Sequence, residues 1–595
     1  MKKLLLVVYF FVLFALGLLI KVQAKDFELT INRDVYLDGQ GKLKIVETHI
    51  VKNNSTTEYI SKKNKETFII NHIKSKSSLL QKSVDSAVIK VGGKVVNFAV
   101  DYKDELATLT VDYPRAVGVN DSLIFILEYQ NFGLLENTGA LWDLYLSGLS
   151  KDSVLNSDKQ DLIYNTNIYV KKGIFPELNF ALPDPLHVLT SNDGIYQQYV
   201  YDMQSIVGKN IWLQFGREQL YKFKITQKAN ATLDNSFGLQ NQYRIILPRD
   251  IDGAEVTQQV MIDKISPAPS KTESDSEGNF FAYFNTPSNQ TDNITIEGYV
   301  KVQVGTNKVT AENSGVITDY KQDQIQQYLG GAQYWEVNSP EIQAKAKELK
   351  GTETNVFQIM NATYNFVIKN INYSEVKRFG INNRQGALAT LRSGSGVCME
   401  YADLFLTLLR AEGIPTRAVF GYGYDPLIDN SAQEAHQWVQ VLIPSSGKWL
   451  DIDVTWGENG DAAIGGVLNH FYTHVAKSNP EENSEVVLSS FGRSDVLELP
   501  KYEINAINSI PNSTNFTSQQ DLLKKYPYVE YTSVMDFVMS IPHKINDIFK
   551  NVENRDMLSV VFLGIGLVLV LVPVSLILKN NIDFGEQKKE SKSTT

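Results

Sequence analysis

The chain has 595 residues, 43% of them hydrophobic and 21% charged, with a formal net charge of −10. That length suits several domains with packed cores. The acidic balance argues against a nucleic-acid partner, whose phosphates select basic stripes, and a single cysteine, Cys398, excludes an internal disulfide.

In chain order, the first segment reads MKKLLLVVYFFVLFALGLLIKVQAKD. Lys2 and Lys3 precede an apolar core from Leu4 to Ile20, and Val22-Gln23-Ala24 has the form of a cleavage site. This predicts a secretory signal peptide over 1–24, cut after Ala24, with an uncleaved anchor as the alternative. Residues 25–216 read as β structure. FELTINRDVYLDGQGKLKIVETHIV alternates apolar and polar residues about Asp38-Gly39, a hairpin pattern, and AVIKVGGKVVNFAV repeats it about Gly92-Gly93. ATLTVDY and DSLIFILEY follow, and the whole predicts a β-sandwich. Its histidines, His49, His72 and His187, are isolated and read as ordinary surface or core residues. A second β-rich region spans 217–305, interrupted by SPAPSKTESDSEGN, which reads as an exposed loop.

From about Thr306 the pattern turns helical, opening a domain expected over 306–480. NSPEIQAKAKELKG offers Ser339 as N-cap, Pro340 at the first helical position and Gly351 as a stop. A second helix over 355–369 puts Val356, Ile359, Met360, Tyr364 and Val367 on one face. Residues 481–556 are polar, with helical pieces such as SQQDLLKKY, and read as a stalk or accessory region. The uncharged run Met557 to Leu578 is long enough to cross a bilayer as a helix and tolerates its Pro573 there. Lys579, Lys588, Lys589 and Lys592 then make 579–595 a cytoplasmic tail. The expected location is the cell membrane, single-pass, with a large extracytoplasmic N-terminal body. An exported body of this size without disulfides points to a bacterial chain. The sequons at Asn53, Asn230, Asn293 and Asn512 are neutral in an Asn-rich sequence.

The chemistry gathers around SGSGVCMEYADLF. Cys398 opens an amphipathic helix, so Ala402, Phe405 and Leu409 share its face, and a plain core cysteine is the simplest reading. Position in the first helical turn, however, favours a thiolate, because the unpaired N–H groups and the helix dipole present positive charge there. Gly394 and Gly396 permit a tight turn and, with Cys398, offer amides to an oxyanion. His436 lies in AHQWVQVLI, a strand pattern, and Asp453 lies in WLDIDVTW on the next strand. Adjacent antiparallel strands can bring the two together behind a cysteine, as a nucleophile, base and orienting acid require. Asp451, two residues from Asp453, shares its face, and alternation alone does not separate them. His470 and His474 stand four apart, as a helical metal pair would, but bring no third ligand. The acidic stretch YDPLIDNSAQEA reads as an exposed loop before the histidine strand, with a Ca²⁺ site as the competing reading.

Gly396-Val397-Cys398, the Ala402 helix, Arg410 to Arg417 (RAEGIPTR), His436-Gln437-Trp438-Val439, Trp449 and Asp453-Val454-Thr455 stand in order. Together they resemble the core pattern of the transglutaminase-like superfamily over roughly 325–476, with Val454 where the family has proline. The resemblance implies an α+β, papain-like core, which follows the all-β, sandwich-like N-terminal region and precedes the C-terminal span read from the pattern above. It implies Cys398 as nucleophile, His436 as base and Asp453, rather than Asp451, as orienting acid; no cofactor or metal is expected from the residue pattern. The expected activity is that of a membrane-anchored thiol enzyme acting on protein, peptide or cell-wall amide bonds through a thioester, with water or an amine as acceptor. The alternative is a catalytically silent scaffold or binding protein of the same fold.

Overall fold

The computed structural model describes residues 26–528 apart from short internal segments, the longest being 151–159, 230–240 and 424–433. The expected signal segment, the apolar run 557–578 and the tail lie outside the described residues. Among the described residues no helix is long and apolar enough to cross a membrane.

The first β region is built as its alternation demands. Strand Leu43–Asn53 buries every second residue, including Leu43, Ile45 and Val51. It pairs antiparallel with Phe27–Leu37 across the Asp38-Gly39 turn, with Tyr36 opposite Lys44. The Gly92-Gly93 turn joins Val88–Val91 to Lys94–Val96 with both glycines at positive φ, 56° and 81°, as a two-residue hairpin of this hand requires. These strands belong to an eight-stranded sheet whose middle holds a non-local pairing, Phe27–Leu37 running parallel to Gln160–Lys171. Smaller sheets of three and four strands complete the region, and one core runs from Val35 to Phe215. His49 is not an ordinary residue of it. Its ring is buried between Glu47 (2.9 Å) and Glu66 (2.7 Å). Burial would lower its pKa, but the two carboxylates outweigh that and raise it to about 9.

The second β region holds two sheets whose strands include Glu218–Gln227, Asn241–Leu247, Val256–Ser266, Phe280–Thr286 and Ile294–Val304. Part of the expected loop is strand Lys271–Ser274, paired with Phe280–Thr286. The stretch read as a stalk also contributes here. Lys501–Ile507 lies antiparallel to Glu218–Gln227, and Val486–Ser490 to Asn241–Leu247. Strands Val486–Ser490 and Lys501–Ile507 are thus part of the folded body rather than of a stalk.

The helical part follows its caps. Helix Pro340–Lys350 starts after Ser339 and ends at Gly351, whose φ is 54°. Helix Val356–Asn370 is capped by Asn355, whose side chain accepts from the Gln358 amide, and buries Val356, Ile359, Met360, Tyr364 and Val367. These helices and the Cys398 helix (Cys398–Ala411) cover one face of a four-stranded antiparallel sheet ordered Lys448–Ile452, Glu434–Ile443, Thr416–Gly423, His470–Ala476. Val419, Trp438, Phe471, Tyr472 and Val475 on the other face pack into the core of the second β region. Sandwiching the sheet in this way fixes the strand that carries His436 from both sides.

Candidate active site

Cys398 is the first residue of its helix, and the preceding residues form a tight lead-in. Gly394 ends the short helix Ala387–Ser393 in the left-handed region, with φ 65°. Its amide donates to Thr390 O at 2.9 Å, which removes it from the expected oxyanion donors. The first-turn amides of the Cys398 helix, by contrast, have no intrahelical acceptor. Gly396 is required by contact rather than conformation: a Cβ there would stand 2.4 Å from Glu400 Cβ. Buried Glu400 reaches back to accept from the Val397 amide (3.0 Å) and the Gln385 amide (3.2 Å), and pairs with Lys377 at 2.5 Å. The nucleophile's turn is thereby tied to two other chain segments, while Cys398 itself stays partly exposed.

His436 sits near the start of the strand Glu434–Ile443. Gly423, on the neighbouring strand, leaves room for its ring, since a Cβ there would lie 3.3 Å from the imidazole. Next to it, Gln437 points to the Cys398 helix and donates to Asp403 at 3.1 Å. Asp403 is fully buried and also takes Trp335 Nε1 (2.8 Å) and Arg384 Nε (2.8 Å). This cluster pins the cysteine helix to the histidine strand.

The structure brings together the three residues that the resemblance singles out. His436 Nε2 lies 2.7 Å from Asp453 Oδ2, and Cys398 is near enough to His436 to help raise its pKa. Asp453 stands one residue beyond strand Lys448–Ile452, and its Oδ1 accepts from the amides of Thr455 (2.9 Å) and Trp456 (3.3 Å). Asp451 goes elsewhere on the same face. Its Oδ1 takes Trp438 Nε1 at 3.0 Å and Gln440 Nε2 at 3.1 Å. Position along the strand therefore separates two acids that alternation could not.

One participant was not legible in the sequence. His470 Nε2 lies 2.9 Å from Asp453 Oδ2, the same oxygen that holds His436. Its Nδ1 is buried with no hydrogen-bond partner among the described residues. His474 does not join it. On a strand, residues four apart stand about 13 Å apart, and His474 instead bonds Thr473 and stacks on Phe420. Trp456, partly exposed, stacks on His436 with ring centroids 5.6 Å apart.

The donor atoms of His436, Asp453 and His470 all lie within 4.8 Å of one another, as a metal's ligands would. The two N···O separations, however, are hydrogen-bond lengths, shorter than the roughly 3.3 Å between donors on a tetrahedral zinc ion. The acidic stretch 424–433 lies outside the described residues.

Electrostatics divides the cluster cleanly. Burial by itself would lower the His436 pKa, but the Asp453 charge and hydrogen bond, with Cys398 adding to them, raise it to about 10. Burial would raise Asp453, yet His436 and His470 hold it well below the usual carboxylate range. Burial pushes His470 down, and the neighbouring His436 charge adds to that. Burial raises Asp451 to about 6. At neutral pH this describes an imidazolium at His436, a carboxylate at Asp453 and a neutral imidazole at His470. An imidazolium facing a thiol is the arrangement that activates a sulfur nucleophile.

A helix headed by a cysteine thus packs on an antiparallel sheet that offers it a histidine and an acid, an α+β arrangement. Within it, residues 343–454 match the model of the transglutaminase-like superfamily, so this part of the chain is a transglutaminase-like domain. No curated protein matches the chain. Among solved structures, a candidate cysteine protease from Cytophaga hutchinsonii is 17% identical, covering 51% of this chain and 94% of that one at a TM-score of 0.35. The periplasmic domain of TgpA from Pseudomonas aeruginosa is 16% identical, covering 40% and 88% at a TM-score of 0.23. A candidate protease from Parabacteroides distasonis is 12% identical, covering 74% and 72% at a TM-score of 0.17. At such TM-scores these likenesses carry no weight beyond the family match.

Proposed function

We propose that the protein is an extracytoplasmic, membrane-anchored thiol enzyme acting on amide bonds of proteins, peptides or cell-wall peptides. The Cys398 thiolate attacks the carboxamide or peptide carbonyl carbon, forming the C–S bond. His436 gives its proton to the departing amine, the C–N bond breaks and a thioester remains. Water or a second amine then attacks the thioester, His436 takes the proton, and Cys398 leaves as thiolate. Asp453 holds the imidazole in the tautomer that keeps its other nitrogen towards sulfur. The observation that carries this reading is the 2.7 Å contact of His436 with Asp453, on a histidine whose pKa the neighbouring Cys398 helps to raise.

The test is alkylation with iodoacetamide at neutral pH. Rapid labelling of Cys398 in the folded protein, slowed by His436→Ala, supports the reading; labelling no faster than free cysteine in the folded state sinks it in favour of a silent scaffold. Mass spectrometry after incubation with glutamine-containing peptides and an amine donor then separates deamidation, cleavage and crosslinking by their mass changes.

A further inference from the structure

The second β region meets the four-stranded sheet on the face away from the Cys398 helix. Arg417, Gln440 and Trp449 point to that face, because they alternate with Ala418, Val439 and Leu450 of the helix-covered core. A cavity of about 450 Å³ opens at the seam, lined by these three residues with Arg249, Glu277 and Tyr328. Two of its walls are guanidinium groups of buried residues, Arg249 being 8% and Arg417 6% exposed. Arg417 donates through Nε to Gln440 Oε1 (2.9 Å) and through Nη1 to Glu277 Oε2 (2.8 Å), and it lies 4.2 Å from the Trp449 ring centroid. Arg249 donates through Nε to the Asp250 carbonyl (3.3 Å) and through Nη1 to the Glu277 carbonyl and Asn279 Oδ1. Glu277 thus gathers both guanidinium groups, one on its carbonyl and one on its carboxylate. Neither Nη2 has a hydrogen-bond acceptor among the described residues.

Arg249 bonds only neutral oxygens and makes no ion pair among the described residues, which is costly for a buried cation. The carboxylates near it are engaged elsewhere. Glu277 receives Arg417, Lys477 and the Tyr328 hydroxyl. Asp250 accepts from the Val260 amide at 2.7 Å, and Asp275 from the amides of Glu277 and Asn279. Asp252 pairs with Lys448 at 2.7 Å. Burial, and after it the Arg417 charge, lowers the Arg249 pKa to about 10, which leaves it a cation at neutral pH. Water in the cavity can accept from an N–H group but supplies no charge. We infer that the cavity is a binding site for a small organic oxyanion, whose carboxylate or phosphate group accepts from the Nη2 donors of Arg249 and Arg417. Forked guanidinium donors match the oxygens of such a group, and hydrogen bonds to an ion are the strong ones. The cavity has the volume of a small-molecule site, so an organic body can follow the anionic group. The site does not depend on Cys398 being a nucleophile.

The test is equilibrium dialysis of the full chain against methyl phosphate and against succinate, with sodium chloride holding the ionic strength constant. At least one probe is expected to bind saturably, one per chain, and the tighter of the two assigns the group as phosphate or carboxylate. Arg249→Gln removes the charge and keeps a donor, and it is expected to weaken binding about tenfold or more, the scale of one hydrogen bond to an ion. Lys222→Gln, at an exposed cation of the second β region, is expected to leave binding unchanged. A measurement without a variant guards against a misfolded Arg249→Gln. In the unsubstituted protein the bound probe is expected to slow phenylglyoxal modification of Arg249 in proportion to occupancy, read by peptide mass spectrometry. The site is overturned if neither probe binds saturably, or if a folded Arg249→Gln binds as the unsubstituted protein does. Modification of Arg249 at the same rate with the probe at saturation overturns it as well, since the anion then sits elsewhere.

Discussion

His470 and Asp453 are joined by a 2.9 Å hydrogen bond to the carboxylate oxygen that also receives His436. Asp453 therefore serves two imidazoles, which with the Thr455 and Trp456 amides hold it ionised. The His470→Phe variant keeps a ring in place and removes one of those donors. Its expected effect is a rise in the Asp453 pKa, so the acid limb of the pH–alkylation profile of Cys398 moves to higher pH. A loss of about 1–3 kcal/mol in stability accompanies it. His470→Gln, which can still donate, is expected to recover part of the shift; a purely structural role would change stability and leave the profile in place.

The two neighbouring aspartates make a sharper comparison. Asp453→Asn removes the charge that sustains the His436 imidazolium, leaving burial to lower its pKa. The alkylation rate of Cys398 at pH 7 is expected to fall roughly a hundredfold or more. Asp451→Asn faces Trp438 and Gln440 instead, and the rate is expected to stay within about threefold, the scale of a substitution outside the reacting set. Equal losses in the two variants would contradict this division of labour.

His436 has a folded pKa raised to about 10. A raised basic group stabilises the fold fully below its unfolded value near 6.5, and that contribution disappears as pH rises through about 10. Asp453, held low, works the other way: its contribution is present above about pH 4 and is lost on further acidification. Nitrogen-detected NMR of the histidine rings is expected to show His436 as an imidazolium at pH 8 and His470 as a neutral ring protonated at Nε2.

Buried Glu412, at the end of the Cys398 helix, has a Thr363 hydroxyl 2.8 and 3.0 Å from its two oxygens. Burial raises its pKa to about 8, against the opposing effects of Thr363 and Lys350. The neutral form is favoured in the fold, so its contribution is intact below about pH 4.5 and disappears as pH rises through about 8. Glu412→Gln is expected to flatten the decline of stability between these values, by at most about 1.4 kcal/mol per pH unit. Denaturant melts at pH 5, 7 and 9 measure it.

Gly396→Ala drives a methyl group to 2.4 Å from Glu400 Cβ. Displacing Glu400 loosens its hold on Val397 and Lys377, and a loss of about 1–3 kcal/mol is expected, with slower alkylation of Cys398. Gly39→Ala meets nothing within 4 Å and serves as the control.

Local pattern determined a good deal. Period-two alternation marked the strands about Asp38-Gly39 and Gly92-Gly93, and caps and periodicity marked the helices that begin at Pro340 and Val356. The glycine-flanked Cys398 at a helix start, with His436 and Asp453 on successive strand patterns, marked the candidate centre. These features are readable because each depends on residues a few positions apart. Tertiary structure alone decided the rest. It set Phe27–Leu37 parallel to Gln160–Lys171 and drew strands Val486–Ser490 and Lys501–Ile507 into the sheets of the second β region. It also brought His470 to Asp453 from a strand on the far side of Thr416–Gly423. Strand partners and side-chain convergence are set by which surfaces pack together over long sequence separations, and the spacing of residues along the chain carries no record of that choice.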